Sequence, residues 1–289
     1  MSNAEIGSCL ILNRFFSRAV FRKVINEEDL DSTFKATIER FVENADLKTN
    51  GEAIRDIYCF MSRFYRNEYF YINTLFNKLA MGKYSLRTTR VLTQVPIGKS
   101  KADLILLNDQ AVVYEIKTDL DSFDRLKTQV ADYYKAFDRV CVVTSVDRYE
   151  RAEQILRDSP VGIYALNSDD RISMKFRKKP ERYAGGLKHE VLFKLLHKVE
   201  FESILFDVYG RLPEVAPVFY YDACFELCRG IPIEEMHKRV MDQLKKRNSL
   251  ATKRFIDVPY ELRALFYFLK ISDQQVIKLK GFLESKYWR

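Results

Sequence analysis

Two short apolar segments, residues 102–107 and 111–117, are separated only by Asn108-Asp109-Gln110. A linker this short joins antiparallel neighbours and little else, so the pair reads as a β-hairpin. Symmetric pairing about Asp109 sets Leu107 opposite Ala111, Ile105 opposite Val113 and Asp103 opposite Glu115. Facing β-carbons in such a pair lie roughly 4.5–5.5 Å apart. Lys117, two residues beyond Glu115, shares its strand face. The rest of that face is Ile105, Leu107, Ala111 and Val113, and the opposite face carries Val112, Tyr114 and Ile116. The hairpin is therefore apolar on both sides, which demands covering layers above and below it. It is polar only where two acids and one lysine converge.

The flanking sequence supplies such layers. Residues 1–48 read as helical and amphipathic, with Phe34, Ile38, Phe41 and Val42 at helical spacing. Asn50-Gly51 reads as a break, and residues 52–79 as one aromatic-rich helix closed by Gly82. Its aromatics, Tyr58, Phe60, Phe64, Tyr65, Tyr69, Phe70, Tyr71 and Phe76, are expected in the core rather than at a base-stacking surface. The period then shortens. Residues 88–95 read as a strand, Pro96-Ile97-Gly98 as a turn, and the hairpin follows. Residues 121–137 read as a helix with Asp121 at its N-cap and Asp124 in its first turn. The apolar stripe of that helix is Phe123, Leu126, Val130, Tyr133 and Phe137. Strands at 139–144, 161–166 and 172–176 enclose a helix at 148–157. The strand of Glu115, the following helix and the strand of Val140 form a crossover of the right-handed type. A charged segment at 177–180 and Ala184-Gly185-Gly186 read as a flexible boundary, followed by helices at 187–206, 220–229, 232–247 and 259–287. The expected organisation is a helical segment at 1–50, an α/β domain with a mixed sheet at 51–180, and a basic helical domain at 181–289.

Adjacent carboxylates repel unless neutralised, and a hard divalent cation neutralises them. Asp103 and Glu115 are thus candidate ligands for Mg²⁺, with Mn²⁺ as substitute, and the Ile116 carbonyl between Glu115 and Lys117 is a third. A metal so held lowers the pKa of its water and stabilises charge on a phosphate under attack. Lys117 can orient the nucleophile or offset transition-state charge. The bland alternative is a salt bridge between Lys117 and an acid at a sheet end.

Ala102-Asp103-Leu104-Ile105 followed by Tyr114-Glu115-Ile116-Lys117 resembles the signature of the PD-(D/E)XK nuclease superfamily. Glu115-Ile116-Lys117-Thr118-Asp119, Asp124-Arg125-Leu126, Gln129, Tyr133-Tyr134 and Phe137-Asp138-Arg139-Val140 look like a little-characterised bacterial and phage branch, known by a locus tag beginning "sce". The resemblance runs from about residue 65 to 144. It implies a restriction-endonuclease-like αβββαβ core and Mg²⁺-dependent cleavage of phosphodiesters, DNA ahead of RNA. It assigns metal ligation to Asp103 and Glu115 and the catalytic lysine to Lys117, and it matches Gln129 to a glutamine near the site. The superfamily often adds an acid from its first helix, for which Glu68 is the candidate, with Gln94 a polar candidate for the same neighbourhood. Ala102 stands where the signature has proline.

Bulk properties narrow the alternatives. Hydrophobic residues at 47% and charged residues at 30% exclude a disordered chain, and no apolar run is long enough to span a bilayer. No leader opens the chain, so a cytoplasmic setting is expected. Cys9, Cys59, Cys141, Cys224 and Cys228 are scattered and odd in number, and are expected as reduced, mostly buried thiols rather than a zinc site. His189, His197 and His237 are expected as surface or packing residues. The net charge is +8, and its excess lies at the C-terminal end: residues 171–289 hold 24 basic and 15 acidic residues. That end would attract a polyanion, with Arg177, Lys178, Lys179, Lys245, Lys246 and Arg247 as candidate phosphate contacts. A solvated basic surface explains the charge equally well.

Two functions compete. One is an active nuclease in phage defence, restriction or a mobile element, with a homodimer or a companion protein as candidate partners. The other is a catalytically silent nuclease-fold scaffold that binds nucleic acid or a protein. A hydrolase of small phosphorylated molecules lacks a glycine-rich phosphate loop to support it.

Overall fold

A computed structural model describes residues 9–26, 28, 32–247 and 253–287. Its centre is one six-stranded mixed sheet in the order β1-β2-β3-β4-β5-β6. The strands are β1 (Arg90–Ile97), β2 (Ser100–Leu107), β3 (Ala111–Lys117), β4 (Val140–Ser145), β5 (Gly162–Leu166) and β6 (Ile172–Lys178). Strands β1 to β3 are antiparallel, β3 to β5 run parallel, and β6 returns antiparallel to β5. The fold class is therefore α/β. Every residue of β3 and β4 is buried, as expected of strands covered on both faces.

One face of the sheet offers Leu104, Leu106, Val112, Tyr114, Ile116, Cys141 and Val143 to a core shared with both ends of the chain. The covering helices there are α1 (Leu12–Phe15), α2 (Arg18–Ile25), α3 (Ser32–Phe41), α4 (Asn50–Phe64) and α5 (Glu68–Leu75). The last runs into a π-helical stretch, Phe76–Lys83. The other face offers Ile105, Leu107, Ala111, Val113, Val140 and Val142 to a second core. That core is covered by α6 (Leu126–Tyr133), α7 (Tyr149–Ile155), α8 (His189–Lys194), α9 (Lys198–Tyr209), α10 (Pro217–Arg229) and α11 (Ile233–Lys246). The chain then returns to the first face with α12 (Arg263–Leu269) and α13 (Asp273–Glu284). The C-terminal hundred residues are thus split between the two faces. The return is pinned by polar contacts: Asn50 Nδ2 donates to the Phe282 carbonyl at 3.1 Å, and Asn73 Oδ1 accepts from Ala264 N at 3.0 Å. Among the described residues no helix is long and apolar enough to cross a membrane.

Several boundaries differ from the sequence reading. Asn50-Gly51 begins a helix instead of breaking one, because Thr49 and Glu52 form a reciprocal capping box. The aromatic segment is not one helix: it stops at Phe64 and restarts at Glu68, where Asn67 accepts from Phe70 N. Gly82 lies inside the last turn, which runs on to Lys83. The helix read at 121–137 is only Leu126–Tyr133. Asp121 is not its N-cap, because the Asp121 carboxylate accepts from Thr118 N and Thr118 Oγ1 at 2.9 and 2.7 Å. Arg148 also donates to the Thr118 and Asp121 carbonyls, which holds that segment out of helix. Pro96 lies within β1, an edge strand, where its missing N–H is tolerated. The helices read at 187–206 and 259–287 each divide in two, the second at Lys270 in a left-handed conformation.

The segment read as a flexible boundary is pinned instead. Glu181 N donates to the Pro160 carbonyl, Tyr183 N to Asp138, and Lys188 N to Lys135. A β-carbon on Gly186 would lie 2.9 Å from the Tyr134 carbonyl oxygen, so the glycine permits close approach rather than motion. Cys59 is exposed, and the other four cysteines are buried free thiols.

Candidate active site

The hairpin pairs in the symmetric register from Leu107↔Ala111 to Leu104↔Tyr114. The recorded pairing ends there, one position short of Asp103. Asp103 Oδ2 instead accepts from Ile116 N at 2.8 Å, so a side chain takes over where the backbone ladder stops. An N–H and C=O of one strand residue project to the same edge, so the Ile116 carbonyl faces that side as well.

Opposite Asp103 on the other flank, β1 is interrupted at Gln94. The register runs Thr93↔Leu104 and Val95↔Ala102, and Gln94 between them has φ 55°. A non-glycine residue in this region costs on the order of 1 kcal/mol. Gln94 Nε2 donates to Glu68 Oε1 at 2.7 Å, which ties the start of α5 to the sheet beside Asp103.

Glu115 and Lys117 are 2% and 6% exposed, values that require partners for both. Lys117 Nζ lies 3.0 Å from Glu115 Oε1 and donates to Gln129 Oε1 at 2.8 Å. Gln129 Nε2 donates to the same Glu115 oxygen at 2.5 Å. The Tyr133 hydroxyl lies 2.5 Å from Glu115 Oε2 and 3.0 Å from the Lys101 carbonyl oxygen. Its single proton goes to the carboxylate, the shorter and charged contact. Gln129 and Tyr133 stand four apart on α6, hence on one helix face, and both address Glu115.

Of these groups, Glu115, Lys117 and Gln129 line a cleft of about 680 Å³ together with Asp103. Its walls include Arg18, Asn67, Glu68, Gln94, Thr118, Asp121, Arg125 and Phe268. Asp103, Glu115, Ile116, Lys117, Gln129, Glu68 and Gln94, all singled out from sequence, line this one space. Tyr133 was not singled out as functional: it read as one residue of an apolar stripe. The signal available was its i+4 spacing from Gln129. Arg18 carries no local signal in the sequence, and Arg125 stands there only as part of the motif Asp124-Arg125-Leu126. None of Arg177, Lys178, Lys179, Lys245, Lys246 and Arg247 lines the cleft. Arg247 is engaged by Glu200 and Lys178 by the Ser159 carbonyl.

Electrostatics reflect the crowding of acids. Burial first, and then the negative charge of Glu115, push the Asp103 carboxyl up to about 8, against the opposing pull of the Ile116 N–H. Glu68 reaches solvent at the cleft mouth but is flanked by protein, and this partial burial, with the charges of Asp121 and Glu115, raises its carboxyl.

The Asp103 and Glu115 carboxylates are oxygen donors of the type a hard divalent cation takes. Among the described residues, no group of three or more His, Cys, Asp or Glu side chains could hold a metal ion. Mg²⁺ is commonly held by one or two carboxylates with waters completing its shell. The Asp103 carboxyl is raised by burial first and by the Glu115 charge second, with the Lys117 charge opposing the rise.

The family model described as Bacteriophage P4 protein cII matches residues 61–264, a span that holds Glu68, Gln94, Asp103, Glu115, Lys117, Gln129 and Tyr133. No curated protein and no solved structure matches the chain.

Proposed function

The chain belongs to the Bacteriophage P4 protein cII family, and for this member we propose a metal-dependent nuclease that hydrolyses phosphodiester bonds, DNA ahead of RNA. The observation that carries the reading is the convergence of Asp103, Glu115 and Lys117 at the floor of one cleft, with Lys117 Nζ 3.0 Å from Glu115. The order α5, β1, β2, β3, α6, β4 supports a PD-(D/E)XK-type αβββαβ core. Mg²⁺, or Mn²⁺ in its place, would be held by Asp103, Glu115 and the Ile116 carbonyl. When bound, the cation would neutralise the two acids and supply Lewis-acid chemistry to a phosphodiester. Lys117 holds a proton at Nζ beside the acids and presents positive charge to a phosphate as charge builds in attack. Gln129 fixes Lys117 and Glu115 relative to one another, and Tyr133 fixes the second oxygen of Glu115. Glu68 is the further acid at the mouth. The setting that suits a phage-related family is phage defence or a mobile element, in the cytoplasm.

The test is incubation of the purified protein with supercoiled plasmid, linear duplex, single-stranded DNA and RNA, in Mg²⁺, Mn²⁺ or EDTA. Asp103→Ala, Glu115→Ala and Lys117→Ala, checked for folding, run alongside. Cleavage that needs metal and vanishes in all three variants is the expected result. Cleavage unchanged in the variants would remove the site assignment.

A scaffold without catalysis is the second reading, and one observation favours it. Both oxygens of Glu115 already accept from protein donors. Calorimetric titration with Mn²⁺ separates the two, because a scaffold shows no heat that depends on Asp103.

A further inference from the structure

We propose that the cleft takes one nucleic-acid strand at a time, so that the substrate is a single strand or the single-stranded extension of a duplex. This rests on the nuclease reading and adds to it a substrate class.

Depth sets the first limit on the substrate. Glu115 is 2% exposed, so a phosphate reaches it only by descending into the cleft. A cleft of about 680 Å³ has the size of a small-molecule pocket, room for roughly one or two nucleotides. In a duplex every phosphate is backed by its base pair and the opposite strand, which would meet the walls first.

Cross-links between the helical layer and β1 flank the acids. Arg18 donates from α2 to Thr93 Oγ1 on β1 at 3.2 Å. Gln94, on the same strand, bonds Glu68 at the start of α5. These two links cross between the helical layer and β1, the edge strand, beside Asp103. Leu265 and Phe268 of α12 add a wall supplied by the far end of the chain.

The lining of the cleft combines cationic and aromatic groups. Arg18 is exposed, and its guanidinium rides over the Phe268 ring at 5.6 Å. Arg125 is exposed on the loop before α6. A planar cation held on an aromatic ring offers a stacking surface for a base and a charge for its phosphate. Cationic groups interleaved with aromatic and aliphatic ones are how proteins hold single strands without reading sequence. The basic residues that would extend a platform for a duplex lie elsewhere: none of Arg177, Lys178, Lys179, Lys245, Lys246 and Arg247 lines the cleft.

The experiment is fluorescence anisotropy of the full chain in Ca²⁺ with three phosphorothioate probes: a short oligothymidylate, its RNA counterpart and a blunt DNA duplex. At least one single strand is expected to bind roughly tenfold tighter than the duplex, and the two strand arms show whether DNA or RNA is held. Arg18→Ala is expected to weaken strand binding about tenfold, the scale of one lost stacking contact, with the unfolding temperature unchanged. Duplex binding as tight as strand binding, or strand binding indifferent to Arg18→Ala, would overturn the proposal. Cleavage of the same sequences as ordinary phosphodiesters separates the two readings. A protein that binds strands and cuts nothing keeps this inference and loses the nuclease. One that cuts blunt duplex faster than single strands keeps the nuclease and loses this inference.

Discussion

The Tyr133 hydroxyl and the Glu115 carboxylate meet at 2.5 Å, both buried, across the packing of α6 on the sheet. The contact holds one oxygen of the acid in place while Gln129 and Lys117 hold the other. It also pushes the Tyr133 phenol far above its usual range, burial coming first and the neighbouring carboxylate second. Tyr133 is therefore a positioning group that keeps its proton.

Tyr133→Phe keeps the ring in the core and removes only the donor. A buried hydrogen bond to a charged group contributes about 1.5–3 kcal/mol, so denaturant unfolding should show a loss of that order. Metal-dependent cleavage should fall about tenfold with little change in KM, since the ring touches no substrate. Unchanged stability would mean that water replaces the hydroxyl.

Asp103→Asn should change how metal-free stability depends on pH. The Asp103 carboxyl is raised from 3.8 to about 8, so the folded state holds its proton more tightly than the unfolded chain does. Its contribution is fully present below about pH 4 and is lost as pH rises through 8. In EDTA, wild-type Tm should therefore fall between about pH 4 and 8 relative to Asp103→Asn. Added Mn²⁺ should restore the wild type and leave the variant unmoved. Parallel Tm curves for the two proteins would contradict the raised carboxyl.

Gln94→Gly and Gln94→Ala both delete the hydrogen bond to Glu68, so their difference reports the backbone alone. With φ at 55°, glycine should be the more stable of the two by about 1 kcal/mol, the reverse of the usual order in a strand. Equal stabilities in urea titrations would mean that the left-handed conformation relaxes without cost.

Gly162→Ala should destabilise by about 2 kcal/mol or more. Its β-carbon would lie 2.5 Å from Pro180 N, and backbone cannot yield as a flexible side chain does. Thermal unfolding checks this, and a shift of less than a degree would contradict the packing of 180 against β5.

Much of the site was legible because strand geometry is strongly constrained. The doubly apolar hairpin and its three-residue turn required the register from Leu107↔Ala111 onward, and that register brings Asp103 and Glu115 to one end. Lys117 followed from the two-residue period. Gln129, Glu68 and Gln94 came from the family resemblance and the order of elements, and all three line the cleft. The role of Tyr133 stayed hidden because a tyrosine in an apolar stripe is ordinarily core, and only the seating of α6 on β3 aims its hydroxyl. Asp121 misled because an aspartate before an apolar period ordinarily caps a helix. Here Thr118 offered its N–H closer at hand.

The sequence by itself determined the layered α/β arrangement and the meeting of two acids and a lysine, because both depend on periodicity and local pairing. Tertiary structure alone decided what surrounds them. Arg18 and Phe268 are 250 positions apart in the chain, and they meet because both ends fold onto the same sheet face. No local pattern encodes that meeting. It follows from the burial of two separated apolar helical segments against one uncovered surface, and it adds Arg18 and Phe268 to the lining of the cleft.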